Sequence, residues 1–284
     1  MYVDLHIHSC ASDGTLTAEE IVDACIDKNI TLFSVTDHNS IAGNAKLCKL
    51  TKSKDISYIS GVEIASTFKG REFHITVYGF DETNKELREL LRKHTQDVEG
   101  NFCNKFIKSF SSQIPQLSLE EFSTYSYDLR RGGCKLLNYL MDKKVLKTLE
   151  EYFFLAGDII SKFRTFSLPH KVIDIAKKAG GYPFLAHPPD YYNCLDRFPE
   201  KELDEWYEWG IAGIECYSPY FTEGENEPYI SFCKKNGLLI SGGSDYHGTF
   251  TERKLGSQQI TPDMINLGDI RIINEHALMF PAQA

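Results

Sequence analysis

Two histidines stand one residue apart near the start of the chain, in the run Asp4-Leu-His-Ile-His-Ser9. Side chains alternate between the two faces of a β-strand, so His6 and His8 would point to the same side, together with Asp4. Two imidazoles on one side of a strand can begin a metal site. The pair alone is weak evidence, because this spacing also arises by chance.

The same arrangement recurs along the chain, where short apolar runs lead to, or carry, a histidine or a carboxylate. Six further runs show it: 32–36 before Asp37-His38, 57–62 before Glu63, 72–79 with His74, 181–186 before His187, 213–217 with Glu215, and 238–244 before Asp245-Tyr-His247. With the first run, these patterns predict seven strands.

Helical patterns separate several of these runs. Thr17 and Glu20 have the spacing of a capping box, which predicts a helix start. Further helices are predicted over 172–179, before two glycines, and over 228–236. Strands that alternate with helices predict an α/β fold with a mainly parallel sheet. Candidate ligands at strand ends favour a barrel mouth, since an open doubly wound sheet would not easily gather side chains from so many strands.

The stretch between His74 and His187 has mainly helical patterns. Helical signals appear over 85–92, at the capping box that begins at Ser118, over 135–141 and over 149–163. We therefore predict a helical cap subdomain at 85–165, over the mouth of a barrel formed by 1–84 and 166–284. The alternative is a peripheral helical decoration with no part in the site.

Composition limits the function classes. The chain has 284 residues, a net charge of −9 and no apolar run of membrane-spanning length. No basic and apolar leader is visible and the eight cysteines form no CxxC motif, so we expect a cytoplasmic protein with reduced thiols. The charge argues against binding to duplex DNA or other long nucleic acid. A small phosphorylated substrate remains compatible, because bound cations would reverse the local sign.

The motifs and their order resemble those of the PHP (polymerase and histidinol phosphatase) superfamily. The matching segments are 4–9, 12–14, 36–38, 61–63, His74, 185–188 and 242–248. Ser12-Asp13-Gly14 and the segment 242–248 are most similar to one branch, which includes phosphatases of AMP-like nucleotides and nucleoside 3′,5′-bisphosphates, and 5′-to-3′ exoribonucleases. The resemblance implies a distorted, seven-stranded, TIM-like barrel with a helical insertion at the same place.

Nine residues match the metal ligands of that superfamily: His6, His8, Asp13, His38, Glu63, His74, His187, Asp245 and His247. The resemblance implies three divalent metal ions. The first would lie between His6, His8, Glu63 and Asp245; the second would bind Asp13, His38 and His247; the third would bind His74 and His187, with Glu63 as a bridge. Histidine and carboxylate ligands without cysteine suit Mn, Fe or Zn.

A metal-bound water has a pKa lowered toward neutrality, which gives a hydroxide that can attack phosphorus in line. The candidate ligands would hold this water, and we therefore predict a metal-dependent phosphoesterase that hydrolyses a small phosphomonoester, a nucleotide of the AMP or 3′,5′-bisphosphate type. Histidinol-phosphate phosphatase and 5′-to-3′ exoribonuclease acting on short RNA are alternatives within enzymes. A metal-binding regulatory relative without activity is the alternative from another class. No residue stands out as general acid for the leaving alcohol.

The resemblance also points to cations that bind the substrate phosphate. Arg131, or its neighbour Arg130, and Arg164 occupy the corresponding positions. Asp190 stands where relatives often carry arginine. Because an acid repels a second anionic group, we predict a substrate with one phosphate, or one that bears a cation or a hydroxyl donor near Asp190. The alternative is that Asp190 points away and only starts the turn to Tyr191.

Several other polar residues receive expected roles. Asp37 is expected to orient a ligand or to cap a turn, and Glu215 to support the site from behind or to be structural. His94 and His276 are expected at the surface.

Overall fold

The strands lie in two sheets in this computed structural model, which describes residues 1–54, 56–155, 164–192 and 198–274. The first sheet has the parallel order β1 (Tyr2–Ile7), β2 (Ile30–Val35) and β3 (Ser57–Tyr58). The second has the order β4 (Gly61–Phe68), β5 (Arg71–Tyr78), β6 (Tyr182–Leu185), β7 (Gly213–Tyr217) and β8 (Leu239–Gly242). Within it, β5 is antiparallel to both β4 and β6, and the other pairs are parallel.

The run 57–62, expected as one strand, is divided between the two sheets. β3 ends at Tyr58, and β4 begins at Gly61 and continues past Glu63 to Phe68. β4 and β5 form a hairpin whose turn residues Lys69 and Gly70 both have positive φ, 48° and 75°. A two-residue turn with two positive φ values matches the twist of the flanking strands, which explains why the chain reverses here.

Backbone contacts join the two sheets at the ends of their strands. Ile7, at the end of β1, bridges Tyr246 after β8, and His38 after β2 bridges Glu63 in β4. The α/β architecture and the mainly parallel pairing are thus confirmed. The described chain has eight strands in sheets of three and five, where a single seven-stranded barrel was expected.

Helices connect most of the strands. They are α1 (Ala18–Asp27), α2 (Asn44–Lys52), α3 (Lys85–Arg92), α4 (Gly100–Phe110), α5 (Leu119–Thr124), α6 (Lys135–Asp142), α7 (Pro169–Lys178), α8 (Glu200–Glu208) and α9 (Glu227–Asn236). The capping box at α1 is confirmed, because the Thr17 hydroxyl accepts from the Glu20 N–H and the Glu20 carboxylate accepts from the Thr17 N–H. None of the described helices is both long and apolar enough to cross a membrane.

The segment between β5 and β6 is helical and has its own apolar cluster. A π-helix at Lys93–Glu99 joins α3 to α4, and residues 149–155 are helical up to the limit of the described range. Phe102, Phe106 and Leu136 are buried in this cluster. The remainder of the predicted helix 149–163 lies outside the described residues. The cluster packs against Phe250, which follows the last candidate ligands.

Candidate metal centre

All nine side chains singled out as ligands converge. Their donor atoms form four overlapping groups, and within each group these atoms lie within 4.8 Å of one another. The groups are His8–Asp13–His38–His247, His6–Glu63–His187, His6–His8–Asp245 and His38–Glu63–His74. Residues that are as much as 241 positions apart in the chain, such as His6 and His247, thus share one cluster.

Strand ends position most of these residues. His6 lies in β1, and His8 and Asp13 follow it; His38 follows β2, His187 follows β6, and Asp245 and His247 follow β8. Glu63 and His74 instead come from the β4–β5 hairpin. The hairpin inserts its two side chains into a site that is otherwise built at the carboxyl ends of parallel strands.

Glu63 is the centre of the cluster. Its Oε1 lies 2.9 Å from Nε2 of His187 and 3.0 Å from Nδ1 of His74, and its Oε2 lies 3.0 Å from Nδ1 of His38. The side chain is completely buried. Burial acts to raise the pKa of Glu63, but His74, His38 and His6 lower this pKa well below its usual range, so the group is a carboxylate.

Asp13 sits on the open side of the cluster, and its side chain is 21% exposed. Its Oδ1 lies 3.4 Å from Nδ1 of His8, and its Oδ2 lies 3.3 Å from Nε2 of His247. The loop that carries Asp13 is anchored by Asp37, which accepts hydrogen bonds from the Ser9 N–H at 2.7 Å, the Ser9 hydroxyl and the Ser12 hydroxyl at 2.6 Å each. Asp37 therefore holds the loop, and no hydrogen bond of it to His38 is found among the described residues.

Glu215 is buried behind His6. Its Oε2 lies 2.8 Å from Nδ1 of His6, and since a carboxylate accepts, Nδ1 carries the proton. Nε2 of His6 is then free to face Glu63 and Asp245, at 3.3 and 3.6 Å. Nδ1 of His247 likewise donates to the Asp245 carbonyl at 2.8 Å. A hydrogen bond on the outer ring nitrogen is what usually orients a metal-binding histidine.

Two glycines allow close approach of the backbone around β1. A Cβ atom on Gly243 would lie 2.4 Å from both N and Cβ of His6, and a Cβ on Gly14 would lie 2.3 Å from the carbonyl oxygen of His8. Either contact is much closer than van der Waals packing permits. Only glycine therefore fits beside the first two candidate ligands at these positions.

The backbone is strained at two of the candidate ligands. His187 has a φ of 27° and Asp245 a φ of 49°, values that L-residues rarely adopt. Such strain persists only where the surrounding structure fixes the residue, and it is concentrated at functional sites.

The arginines predicted to bind phosphate are all paired. Arg131 forms two hydrogen bonds with Asp142, at 2.9 and 2.8 Å, and both side chains are exposed. Arg130 pairs with Glu20 at 2.7 Å, also at the surface. Phosphate binding by these residues stays a prediction.

Arg164 is placed differently, since it is mostly buried. It binds the carboxylates of Glu72 and Glu99 at 2.7 and 3.2 Å. Asp190 is half exposed, and its Oδ2 lies 3.8 Å from Nδ1 of His187. The acid is therefore beside the cluster, as its place in the sequence suggests.

The expectation that His94 lies at the surface is wrong. Its side chain is buried, with Nδ1 3.1 Å from Oδ1 of Asn39 and Nε2 3.0 Å from the Ser167 hydroxyl. Its sequence neighbours are polar, and its partners come from distant segments, so the sequence carried no signal for its burial. His276 lies outside the described residues.

Sequence reasoning also missed Tyr220 and Arg253. Both contact the Asp245 carboxylate, the Tyr220 hydroxyl at 2.7 Å and the Arg253 guanidinium at 2.9 Å. Neither residue is part of a ligand motif. The proximity of Arg253 to 242–248 in the chain was the one available hint.

Comparisons with known proteins find relatives that match most of the chain. The 5′-3′ exoribonuclease of Haemophilus influenzae is 27% identical over 249 residues, which cover 86% of this chain and 89% of that protein. The 3′,5′-nucleoside bisphosphate phosphatase of Chromobacterium violaceum is 23% identical over 266 residues, covering 86% of this chain and 87% of the relative.

A solved structure from Bifidobacterium adolescentis, described as a candidate metal-dependent phosphoesterase, superposes with a TM-score of 0.77 at 21% identity. The superposition covers 92% of this chain and 93% of the chain in that solved structure. The pattern of the PHP domain matches residues 4–177. The match spans more than half of the chain and includes His6, His8, Asp13, His38, Glu63 and His74. The chain therefore belongs to the PHP domain family.

Proposed function

We propose that this protein hydrolyses a small phosphomonoester of the nucleotide type, and that the nine converging side chains hold the divalent metal ions on which the reaction depends. The observation that carries the proposal is the convergence itself. Four overlapping groups of donor atoms surround one buried carboxylate, Glu63. Exposed acidic clusters are common in proteins, but a buried group of this composition is costly unless cations compensate it.

The donor atoms fit metal ions. Both ring nitrogens of His8, Nε2 of His6 and Oε2 of Glu63 are buried and have no hydrogen-bond partner among the described residues. Leaving such a group unsatisfied costs about 1–3 kcal/mol each, and these atoms face one another across the cluster. Imidazole and carboxylate donors without thiolate suit Mn, Fe or Zn, and we propose three ions with Glu63 as a shared ligand.

The charges around the site support the need for cations. Bound divalent ions would supply an activated water and would stabilise charge on the phosphoryl oxygens. Two arginines near the cluster in the described part of the chain are already paired, because Arg164 is held by Glu72 and Glu99, and Arg253 by Asp245. The overall charge is −9, so a phosphate group would otherwise be repelled.

We propose further that residues 85–165 act as a cap for the substrate, on a barrel formed by 1–84 and 166–284. The support is a direct contact with the site, because the Gly133 N–H of this segment donates to the Asp13 carbonyl at 2.8 Å. A side chain at Gly132 would also collide with that carbonyl. The segment thus touches the loop of a candidate ligand on its exposed side.

Two relatives inform the substrate class. One is named for a nucleoside bisphosphate and one for the 5′-to-3′ degradation of RNA, and both names involve phosphate esters of nucleosides. We therefore place a mononucleotide first. Short RNA with a 5′ phosphate is the second candidate, favoured by the relative with 27% identity.

The test is hydrolysis by metal-free protein to which Mn²⁺ is added back, measured as phosphate release from the phosphomonoesters and as release of phosphate or mononucleotides from the RNA. The panel is AMP, a nucleoside 3′,5′-bisphosphate, histidinol phosphate and a short 5′-phosphorylated RNA. We expect release from a nucleotide, and its loss in His38→Ala and Asp245→Ala with the fold retained. His170→Ala, at an exposed histidine of α7, is the matched control and should retain activity. No release from any of these substrates with Mn²⁺, Fe²⁺ or Zn²⁺ bound would refute the proposal.

A further inference from the structure

The two carboxylate oxygens of Asp245 have different surroundings. Oδ1 faces the candidate donors, 3.2 Å from Nε2 of His8 and 3.6 Å from Nε2 of His6. Oδ2 faces away: it accepts a hydrogen bond from the Tyr220 hydroxyl at 2.7 Å and forms an ion pair with Nη1 of Arg253 at 2.9 Å. Oδ1 is therefore open toward the cluster, whereas Oδ2 already has two partners.

Tyr220 and Arg253 also hold each other. The Arg253 guanidinium donates to the Tyr220 hydroxyl oxygen, and its central carbon lies 5.5 Å from the centroid of the Tyr220 ring. The Tyr220 ring in turn lies 5.2 Å from the ring of His187, between centroids. The side chains of Asp245, Tyr220 and Arg253 thus form a closed triangle of two hydrogen bonds and one ion pair next to the cluster.

The triangle is shielded from solvent. The side chain of Asp245 is 6% exposed and that of Arg253 is 25% exposed. A charge-assisted hydrogen bond is stronger than a neutral one, and solvent screens it less when it is buried. The backbone of Asp245 is strained, at a φ of 49°, and such strain persists only where surrounding contacts fix the residue. Tyr220 and Arg253 provide contacts of this kind to its side chain.

We propose that Tyr220 and Arg253 are positioning residues that restrict Asp245 to one coordinating oxygen, Oδ1, toward an ion held with His6 and His8. This inference rests on the metal dependence proposed above. A carboxylate can bind a cation through one or both oxygens. To offer Oδ2 as well, Asp245 would have to give up the hydrogen bond from Tyr220 and the ion pair with Arg253. Groups that orient metal ligands in this way commonly change metal affinity by about 10–100-fold.

The test measures metal binding directly. Mn²⁺ is titrated into metal-free protein in competition with a fluorescent chelator, for the wild type and for Tyr220→Phe, Arg253→Met and Arg253→Lys. Tyr220→Phe removes a single hydroxyl, and we expect it to weaken one Mn²⁺ site by about tenfold. Arg253→Met should weaken the same site at least as much. Arg253→Lys should recover part of the loss, because lysine keeps the charge but not the planar fork of donors.

Two further measurements separate positioning from general stability. Tyr207→Phe, at an exposed tyrosine of α8, is the matched control and should bind Mn²⁺ as the wild type does. The double variant Tyr220→Phe/Arg253→Met should lose less than the two single losses combined, because both residues hold the same oxygen. In Co²⁺-loaded protein, the visible bands of the variants should weaken, since a second carboxylate oxygen raises the coordination number.

The outcomes are distinct. Unchanged Mn²⁺ affinity and Co²⁺ bands in both single variants would overturn the inference while leaving the proposed function intact. An equal loss at every Mn²⁺ site, together with a lowered melting temperature, would also overturn it, because it would indicate a structural role. A wild type that binds no divalent ion would overturn both the inference and the proposed function.

Discussion

Arg164 and Glu72 form a bidentate ion pair that reaches the metal cluster through a third residue. The Arg164 Nη2 lies 2.9 and 2.7 Å from the two Glu72 oxygens, and its Nε lies 3.1 Å from Oε2. Oε1 of Glu72 is 3.2 Å from Nε2 of His74. Burial acts to raise the pKa of Glu72, but Arg164 and His74 lower it to about 2, so Glu72 is ionised at neutral pH.

Arg164→Ala is expected to lower kcat/KM by about tenfold or more, because a charge-assisted hydrogen bond contributes about 1.5–3 kcal/mol. Glu72→Gln separates two roles of the arginine. If Arg164 acts through Glu72 and His74, both variants lose Mn²⁺ as well as activity. If Arg164 binds phosphate directly, only Arg164→Ala raises KM. Arg92→Ala, which breaks the exposed pair with Glu89 on α3, is the control. Full activity in both variants would contradict both roles.

Arg131→Ala should raise KM by about tenfold if this arginine binds the substrate phosphate. The melting temperature should barely change, because exposed ion pairs such as Arg131–Asp142 contribute only about 0–1 kcal/mol. Steady-state kinetics and thermal unfolding of the same preparation check both parts. Wild-type kinetics would leave Arg131 as a surface cation, and the same measurement on Arg130→Ala decides between the neighbours.

The nine donors and the bridging position of Glu63 predict more than two metal ions per chain in protein produced with ample Mn²⁺. Elemental analysis of the purified protein gives the count. Glu63→Gln should lower the count by more than one ion, because its carboxylate faces donors of more than one group. A wild type with one ion or none under these conditions would rule out the trinuclear site.

Asp190→Arg should increase activity on a nucleoside 3′,5′-bisphosphate relative to AMP. The acid lies 3.8 Å from His187, close enough to repel a second phosphate, and arginine would attract it. The ratio of kcat/KM for the two substrates is the readout. Asp174→Arg, at an exposed aspartate of α7, controls for the change in net charge. A wild type that already prefers the bisphosphate strongly, with the same ratio in Asp190→Arg, would refute this account.

His94 should make stability depend on pH. Burial lowers the pKa of His94 from its ordinary 6.5 to about 4. Between these values the unfolded chain binds a proton that the folded chain does not, so stability falls as the pH falls from 6.5 to 4, by up to about 1.4 kcal/mol per pH unit. Urea unfolding of metal-free protein at several pH values should show a weaker dependence in His94→Gln than in the wild type. His170→Gln, at an exposed histidine, should keep the wild-type slope.

The sequence predicted the site best where candidate metal ligands coincide with the ends of predicted strands. The spacing of His6 and His8 gave the first indication of a metal site, and Asp245 and His247, which repeat that spacing after β8, strengthened it. The β4–β5 hairpin was not predicted. β4 continues from Glu63 to Phe68 and ends in the turn Lys69-Gly70, whose conformation depends on the pairing of β4 with β5.

The contacts of Arg253 and His94 could not be predicted from the sequence, although Arg253 lies near 242–248 in the chain. Arg253 lies in a polar segment after the last motif, and only the folded chain brings it to Asp245 and Tyr220. His94 is buried because Asn39 and Ser167 satisfy its ring nitrogens. Such partners are tertiary, so neither periodicity nor local spacing reveals them.

The close approach of Gly243 to His6 limits which mutations the site can tolerate. Any replacement of this glycine places an atom where the backbone of the first candidate ligand already lies. A single methyl group there would shift His6 away from Glu63 and Asp245, although none of the donor atoms would be altered. Gly243 supplies no donor atom, yet it is among the positions of the site that tolerate substitution least. A random-mutation screen for lost metal binding should therefore recover variants of Gly243 alongside variants of the histidines.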